Sequence, residues 1–250
     1  YLADHFRQAG GRVGPQNFEV SDSLYRNVRC IFGDASKPRL IIGAHYDSHG
    51  TTPGADDNAS GVAGLVELAY LFGQQELDNC IELVAYTLEE PPFFSTKKMG
   101  SYIHAKSLRQ EGVEVSGMIA LEMIGYYSDE PGSQQYPLKL FNLIYPSRGN
   151  FIAVIGKLDQ RGFIADVKAG MKGATDLKVL SVSAPTQVPG INFSDHRNYW
   201  AHDYEAVMIT DTAFYRNTAY HKETDTWDRL DYSKMADVVR AVYNYAMLAD

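Results

Sequence analysis

Two periods of hydrophobicity alternate along this chain. Short apolar or alternating runs over Asn17–Val20, Tyr25–Gly33, Arg39–His45, Ile81–Thr87, Met118–Ile124, Phe151–Ile155, Leu177–Ser183 and Ala206–Thr210 predict strands. Helical spacing fills several of the gaps. Leu2–Ala9 predicts a short helix stopped by Gly10-Gly11. Asn58–Phe72 sets Val62, Leu65, Val66, Ala69 and Phe72 on one stripe, and Gly100–Gln110 predicts a further helix. Met235, Val238, Val239, Val242 and Ala246 form the apolar face of a last helix, capped near Asp231. Arg39–His45 has the apolar character of strands buried on both faces. Strands alternating with helices predict an α/β chain, a three-layer α/β/α sandwich around a mixed, mostly parallel sheet. In such sheets ligands bind outside the carboxyl ends of the strands.

Composition narrows the classes. The chain has 250 residues, 45% hydrophobic and 22% charged, enough for one core and predicting a single domain. No apolar run reaches the roughly 18 residues a membrane span needs. A net charge of −8 disfavours nucleic acid and anionic membrane surfaces as partners. Cys30 and Cys80 alone cannot build a Cys-rich zinc finger or a disulfide scaffold. Tyr1 rather than Met opens the chain, so a preceding segment, such as an export signal, is expected.

Acidic and histidine motifs fall just after predicted strands. His45-Tyr46-Asp47-Ser48 ends one, and Glu89-Glu90 follows another, leading into Pro91-Pro92-Phe93-Phe94. Glu122 lies in the apolar frame Ala120-Leu121-Glu122-Met123-Ile124, where a buried carboxylate needs a partner or a metal. Asp56-Asp57-Asn58 precedes a helix; capping accounts for one aspartate but not for two. Tyr220-His221 follows the last strand. Asp56, Glu89, Glu90 and Glu122 would bring four negative charges together, and two divalent cations would remove the repulsion. Oxygen and imidazole donors without thiolate suit zinc, with cobalt or manganese also compatible.

These motifs, with Gly54-Ala55-Asp56-Asp57-Asn58-Ala59-Ser60-Gly61, Glu122-Met123-Ile124-Gly125 and Ser194-Asp195-His196, closely resemble the M28 metallopeptidases, the family of co-catalytic zinc aminopeptidases. The likeness runs from residue 39 to about 232 in the family's order. It implies two zinc ions, with Asp56 bridging them, His45 and Glu122 completing one site, and Glu90 and His221 the other. It implies Glu89 as general base, Tyr220 as donor to the oxyanion, and a cis peptide after the bridging residue, at Asp56-Asp57. Asp47, Asp57 and Asp225 are placed as carboxylates around the ligands, where metal-bound imidazoles find partners for their other N–H. Asp195 and His196 are implied near the substrate pocket. Phe93, Phe94, Tyr126, Tyr199 and Trp200, close in sequence to these motifs, are candidates for its apolar wall. The family's strand order would make the strands bearing Cys30 and Cys80 antiparallel neighbours, leaving a cross-strand disulfide open beside the default of two buried thiols.

One position departs from the pattern: many of the family's aminopeptidases carry Asp where this chain has Glu122. The short gap between Asp56 and Glu122 leaves no room for the protease-associated domain that many relatives insert. The expectation is a secreted or periplasmic exopeptidase, monomeric, that removes apolar N-terminal residues from peptides, with Glu89 and Glu122 reading the free α-amine. Two alternatives are a glutaminyl cyclase on the same fold, typically with one zinc and Trp before the final His, and a non-catalytic binding domain, in which ligands would be missing. A serine hydrolase lacks its Gly-x-Ser-x-Gly elbow here.

Overall fold

Eight strands carry the architecture: β1 (Arg12–Val20), β2 (Ser23–Gly33), β3 (Arg39–His45), β4 (Cys80–Tyr86), β5 (Val115–Glu122), β6 (Phe151–Lys157), β7 (Lys178–Ala184) and β8 (Ala206–Thr210). The computed structural model describes residues 1–249, and in it these strands form one sheet in the order β1-β2-β4-β3-β5-β8-β6-β7. β3 runs parallel to β4 and β5, β5 to β8, and β6 to β7, whereas the pairs β1–β2, β2–β4 and β6–β8 are antiparallel. The sheet is therefore mixed, with parallel pairing at its centre. β3 and β4 are buried at every position, as unbroken apolar runs require.

Helices cover both faces. On one side α1 (Leu2–Gln8), α2 (Gly61–Phe72), α4 (Arg161–Met171) and α6 (Tyr232–Leu248) pack Phe6, Leu65, Phe163 and Val238 into one cluster with Leu40, Ile42 and Leu83. On the other, α3 (Gly100–Glu111) and α5 (His196–Trp200) bring Leu108 and Tyr199 against Ile41, Val84 and Met118. Ile41 and Ile42 thus serve opposite layers, as alternation along a strand dictates. Truncating a fully buried side chain such as Leu83 to alanine costs about 2–5 kcal/mol in such a core.

Differences from the sequence reading have physical causes. β1 begins at Arg12, running through Gly14 and Pro15. It is an edge strand, where a missing N–H need not interrupt the sheet. α4 carries Phe163, Ile164, Val167 and Met171 on its buried face, but its N-cap Gln160 makes no side-chain cap and Gly162 and Gly170 dilute its propensity. α5 is too short to show a period. β5 stops at Glu122 because Met123 turns into the left-handed region at φ 50°. α6 starts as expected: the Asp231 carboxylate accepts from the Lys234 N–H at 3.0 Å. Cys80 stands opposite Gly33 and Cys30 opposite Leu83, so the thiols are out of register, free and buried. Burial pushes the Cys30 thiol up to about 12.

Candidate metal centre

The parallel register of β4, β3, β5 and β8 sets their carboxyl ends side by side, and the chemistry gathers there. His45 ends β3, Glu89 and Glu90 follow β4, Glu122 ends β5, and the chain after β8 brings His221. Several non-glycine residues at this edge have left-handed backbones, among them Leu88 (φ 62°), Met123 (φ 50°), Thr212 (φ 88°), Ala213 (φ 49°) and His221 (φ 56°). Each such conformation costs on the order of 1–3 kcal/mol and persists where surrounding contacts fix it.

The geometry centres on one carboxylate. Asp57 Oδ1 lies 3.3 Å from His45 Nε2, and Asp57 Oδ2 lies 3.1 Å from His221 Nε2. Beyond them, Glu122 Oε2 is 3.4 Å from His45 Nε2 and Glu90 Oε1 is 3.4 Å from His221 Nε2. Two ligand-like groups result, His45 with Asp57 and Glu122, and Glu90 with His221 and His49; within each, the donor atoms lie within 4.8 Å of one another.

This corrects the reading of the acid pair. Asp57, not Asp56, occupies the middle, and the non-proline cis bond is Asp57-Asn58 rather than Asp56-Asp57. Asp56 turns away. Its Oδ1 accepts from the Gly125 N–H at 2.9 Å and its Oδ2 from the Asn217 amide at 2.7 Å. Asn58 fixes the arrangement by donating to the Leu121 carbonyl at 2.8 Å and accepting from the Met123 N–H at 3.0 Å, which ties the loop to the end of β5. Gly61 is needed here, because a Cβ would stand 2.7 Å from the Leu121 carbonyl oxygen. Asp225 is not placed against His221 as a hydrogen-bond partner; its carboxylate accepts from the N–H groups of Asp56 and Asp57 at 3.1–3.2 Å. Asp47 accepts from the N–H groups of Glu89 and Glu90 at 3.2 and 3.0 Å, and its Oδ1 lies 3.6 Å from His45 Nδ1. The His45 Nδ1 partner is the Asp47 backbone carbonyl at 3.1 Å, so one residue, through its carbonyl and its carboxylate, orients the histidine of β3 and the glutamates after β4.

Charge is unevenly resolved at this edge. Burial, with like charge from Glu122, Asp195 and Asp57 outweighing His45, pushes the Glu89 carboxyl well above the usual range. Burial also raises Glu122. For Asp57, burial is outweighed by the hydrogen bonds of His221 and His45, which hold it at about 2. Burial opposes charge on the two imidazoles, yet the surrounding acids raise both, His221 to about 9. Left to themselves, the acids draw protons onto the histidines. A metal ion supplies that positive charge instead and requires neutral imidazole. His45 Nε2 and Glu90 Oε1 are buried without hydrogen-bond partners, and both belong to the central cluster. The donors are nitrogen and oxygen with no thiolate. The residues fit zinc.

A cavity adjoins this centre, with Glu122 and Tyr220 in its wall. The rest is chiefly apolar, with Tyr136, Phe141, Phe151, Val182, Met208 and Phe214 among its lining. None of the seven pocket candidates picked from sequence lies in that wall. Two of them touch lining residues: Phe94 stacks edge-on at 5.9 Å with Phe193, and His196 bonds to Ile191. Phe93 packs on Tyr25, Tyr126 under Arg229, and Trp200 donates to the Ala206 carbonyl. The Tyr199 hydroxyl is shared with Tyr86 and His104 in the core. His196 donates to the Ile191 carbonyl, and burial holds its ring down at about 4. Asp195 is buried, which lifts its carboxyl to about 7. Two further residues at the centre were given no role from the sequence, Ser194 being named only within its motif. Ser194 donates to Glu122 Oε2 at 2.6 Å, and His49 approaches Glu90. The one signal for His49 was its place four residues after His45.

Comparison with known proteins places this arrangement among relatives. The profile of Peptidase family M28 matches residues 27–246. The uncharacterized protein YfbL of Escherichia coli (strain K12) is 51% identical over 250 residues, covering 97% of this chain and 76% of its own length. A probable leucine aminopeptidase of Arthroderma benhamiae is 28% identical over 243 residues, covering 90% of this chain and 58% of its own length. Among solved structures, the Legionella pneumophila LapA aminopeptidase matches with a TM-score of 0.76 at 20% identity, over 99% of this chain and 63% of that one. Glutaminyl cyclase of Bacteroides thetaiotaomicron matches with a TM-score of 0.71 at 19% identity, over 98% and 86%. At such identities the structural likeness shows the fold.

Proposed function

Because the chain belongs to peptidase family M28, we propose that it is a zinc aminopeptidase holding two ions, one between His45, Asp57 and Glu122 and the other between Asp57, Glu90 and His221. The observation that carries this reading is the Asp57 carboxylate, whose two oxygens face two imidazoles in two acid-rich groups. Bound at such a pair of positions, zinc supplies Lewis acidity that polarises a carbonyl and makes water a better nucleophile near neutral pH.

The remaining roles belong to side chains. Glu89 is the general base: it takes the proton of the attacking water and returns it to the leaving amine. Burial raises its carboxyl well above the usual carboxylate range, which makes it a stronger proton acceptor. Asp47 fixes the backbone of Glu89 and Glu90, so base and ligand keep their relative positions. Tyr220 donates to the developing oxyanion. Glu89 and Glu122 accept from the free α-amine, which restricts the enzyme to chain ends. The aromatic cavity beside Glu122 and Tyr220 takes an apolar N-terminal side chain.

The test is hydrolysis of an N-terminal leucyl arylamide. A chelator should abolish it and zinc should restore it. Glu89→Gln should lower kcat by about 10²–10⁴-fold with zinc content unchanged; a rate near that of the wild type would remove Glu89 from this role. A Gln-initiated peptide separates the cyclase reading, since cyclisation releases ammonia whereas aminopeptidase action releases glutamine.

A further inference from the structure

We propose that His49 is a positioning residue for the second cation, clamping the ring of His221 and turning Glu90 so that one of its oxygens faces the centre. The proposal rests on the two-ion reading above and adds a residue outside the five ligands.

His49 sits in the loop after β3, half-buried. Thr52 fixes its backbone, donating to the His49 carbonyl from its N–H at 3.1 Å and from its hydroxyl at 2.8 Å. The His49 ring lies flat on that of His221, with centroids 3.9 Å apart and planes 9° from parallel. Tyr220 stacks on the same ring at 3.8 Å and 18°. Two rings this close and this nearly parallel cannot share one face, so His221 is held between them. That clamp matters because the His221 backbone is in the left-handed region and does not itself favour this conformation.

The second contact sorts the oxygens of Glu90. His49 Nδ1 lies 3.4 Å from Oε2 and, opposite a carboxylate, acts as the donor. Oε1 has no hydrogen-bond partner and lies 3.4 Å from His221 Nε2. One oxygen is therefore occupied by His49, and the other is left for the centre.

His49 is not itself a ligand in this arrangement. Imidazole lone pairs lie in the ring plane, and zinc binds at about 2.0–2.1 Å from nitrogen. With the rings stacked flat at 3.9 Å, the in-plane lone pairs of His49 and His221 lie in two separate, nearly parallel planes, so the two rings would not hold one ion together. His49 acts through its two neighbours. Outer partners of this kind typically change metal affinity by about 10–100-fold when removed.

The experiment titrates metal-free full chain with zinc against a chelator of known affinity, with His221→Ala identifying the step that belongs to the second ion. His49→Ala should weaken that step by about 10–100-fold and leave the other within about twofold. His49→Phe keeps a ring to stack, and His49→Gln keeps a donor for Glu90; each should recover part of the loss. Melting of the metal-free variants is the second readout, since a merely structural role would lower the melting point without a selective loss of zinc. Unchanged affinity in His49→Ala, or equal weakening of both steps, overturns the proposal while leaving the two-ion reading intact. Should the alanine variant fail to fold, wild-type second-step affinity in both the Phe and Gln variants overturns it equally. A wild-type chain that binds no zinc overturns the underlying reading, and the role of His49 with it.

Discussion

Two clusters of buried acid lie on the same sheet and settle their charge in opposite ways. Glu82, in the middle of β4, is fully buried. Arg29 meets its Oε1, Arg39 lies 2.7 Å from Oε2, and His104 Nε2 lies 3.4 Å from Oε1. Burial would push this carboxyl up, but His104, Arg29 and Arg39 outweigh it and hold it far below the usual range. Past the end of the same strand, Asp57, Glu90 and Glu122 have only histidines for ion-pair partners among the described residues, and Glu89 beside them makes no ion pair. There burial prevails, and Glu89 and Glu122 rise. Where the chain supplies permanent cations, a buried carboxylate becomes part of the scaffold. Where it supplies only imidazoles, whose charge depends on a proton, the acids can exchange that proton for a metal. Position along one strand separates structure from chemistry.

The largest expected effect tests which aspartate joins the two halves of the centre. Asp57→Asn should weaken zinc at both positions by two orders of magnitude or more, following the roughly 3–5 kcal/mol lost when one partner of a buried charge pair is removed. Asp56→Asn should keep both ions, because Asp56 holds Gly125 and Asn217 instead. Chelator-competition titration of both variants decides the matter, and the opposite result would return the bridge to Asp56. Next in size is Glu82→Ala. It strands two guanidinium groups and should cost about 3–5 kcal/mol, a fall of roughly 6–20 °C in melting midpoint for a chain of this size. Zinc affinity should stay unchanged; if it fell in step, the two clusters would be one system. Smaller again is stabilisation by the metal. Each site filled at about 100 times its Kd adds roughly 2.7 kcal/mol, seen by calorimetry as a rise of about 5–11 °C per ion in wild type and in Glu82→Ala alike.

The legibility of the sequence follows the same division. β3 and β4 were readable because burial on both faces writes an unbroken apolar run. β1 and α4 were poorly legible, since an edge strand tolerates Pro15 and an uncapped helix hides its start. His45, Glu89, Glu90 and Glu122 could be picked out because a charge at the end of an apolar strand is anomalous; His221 lies well past the end of β8 and its role rested on the family resemblance, and the fold gathers all five at one edge. Asp56 and Asp57 could not be told apart. They are identical in chemistry and adjacent in sequence, and only the backbone path set by Asn58 and Asp225 decides which one faces inward. His49 lies in a polar loop with no period to mark it. The cavity wall was missed because nearness in sequence to a motif is a poor guide. Tyr136, Phe141, Val182 and Phe214 come from separate loops and strands that meet only in the folded chain.

The smallest effect separates the two clusters by sign. Glu82 has a folded value below its ordinary 4.5, so near and below that pH the unfolded chain binds more protons than the folded one. Its contribution is complete above about pH 4.5 and is lost as the pH falls toward the depressed folded value. Glu122 is the reverse case. Burial raises its carboxyl above 4.5, so the folded chain keeps a proton that the unfolded chain has released. Its contribution to metal-free stability is present below about 4.5 and is lost as the pH rises through the folded value. Each amounts to roughly 1.4 kcal/mol for every pH unit over which the protonation of one group differs between the two states. Melting curves of the metal-free chain between pH 3 and 8 should therefore lose their acid-side slope in Glu82→Gln and flatten on the other side in Glu122→Gln. Saturating zinc should remove the second effect and leave the first, because the ion displaces protons only where the acids have no fixed cation. Slopes of the same sign in both variants would mean that burial, rather than the supply of cations, governs both clusters.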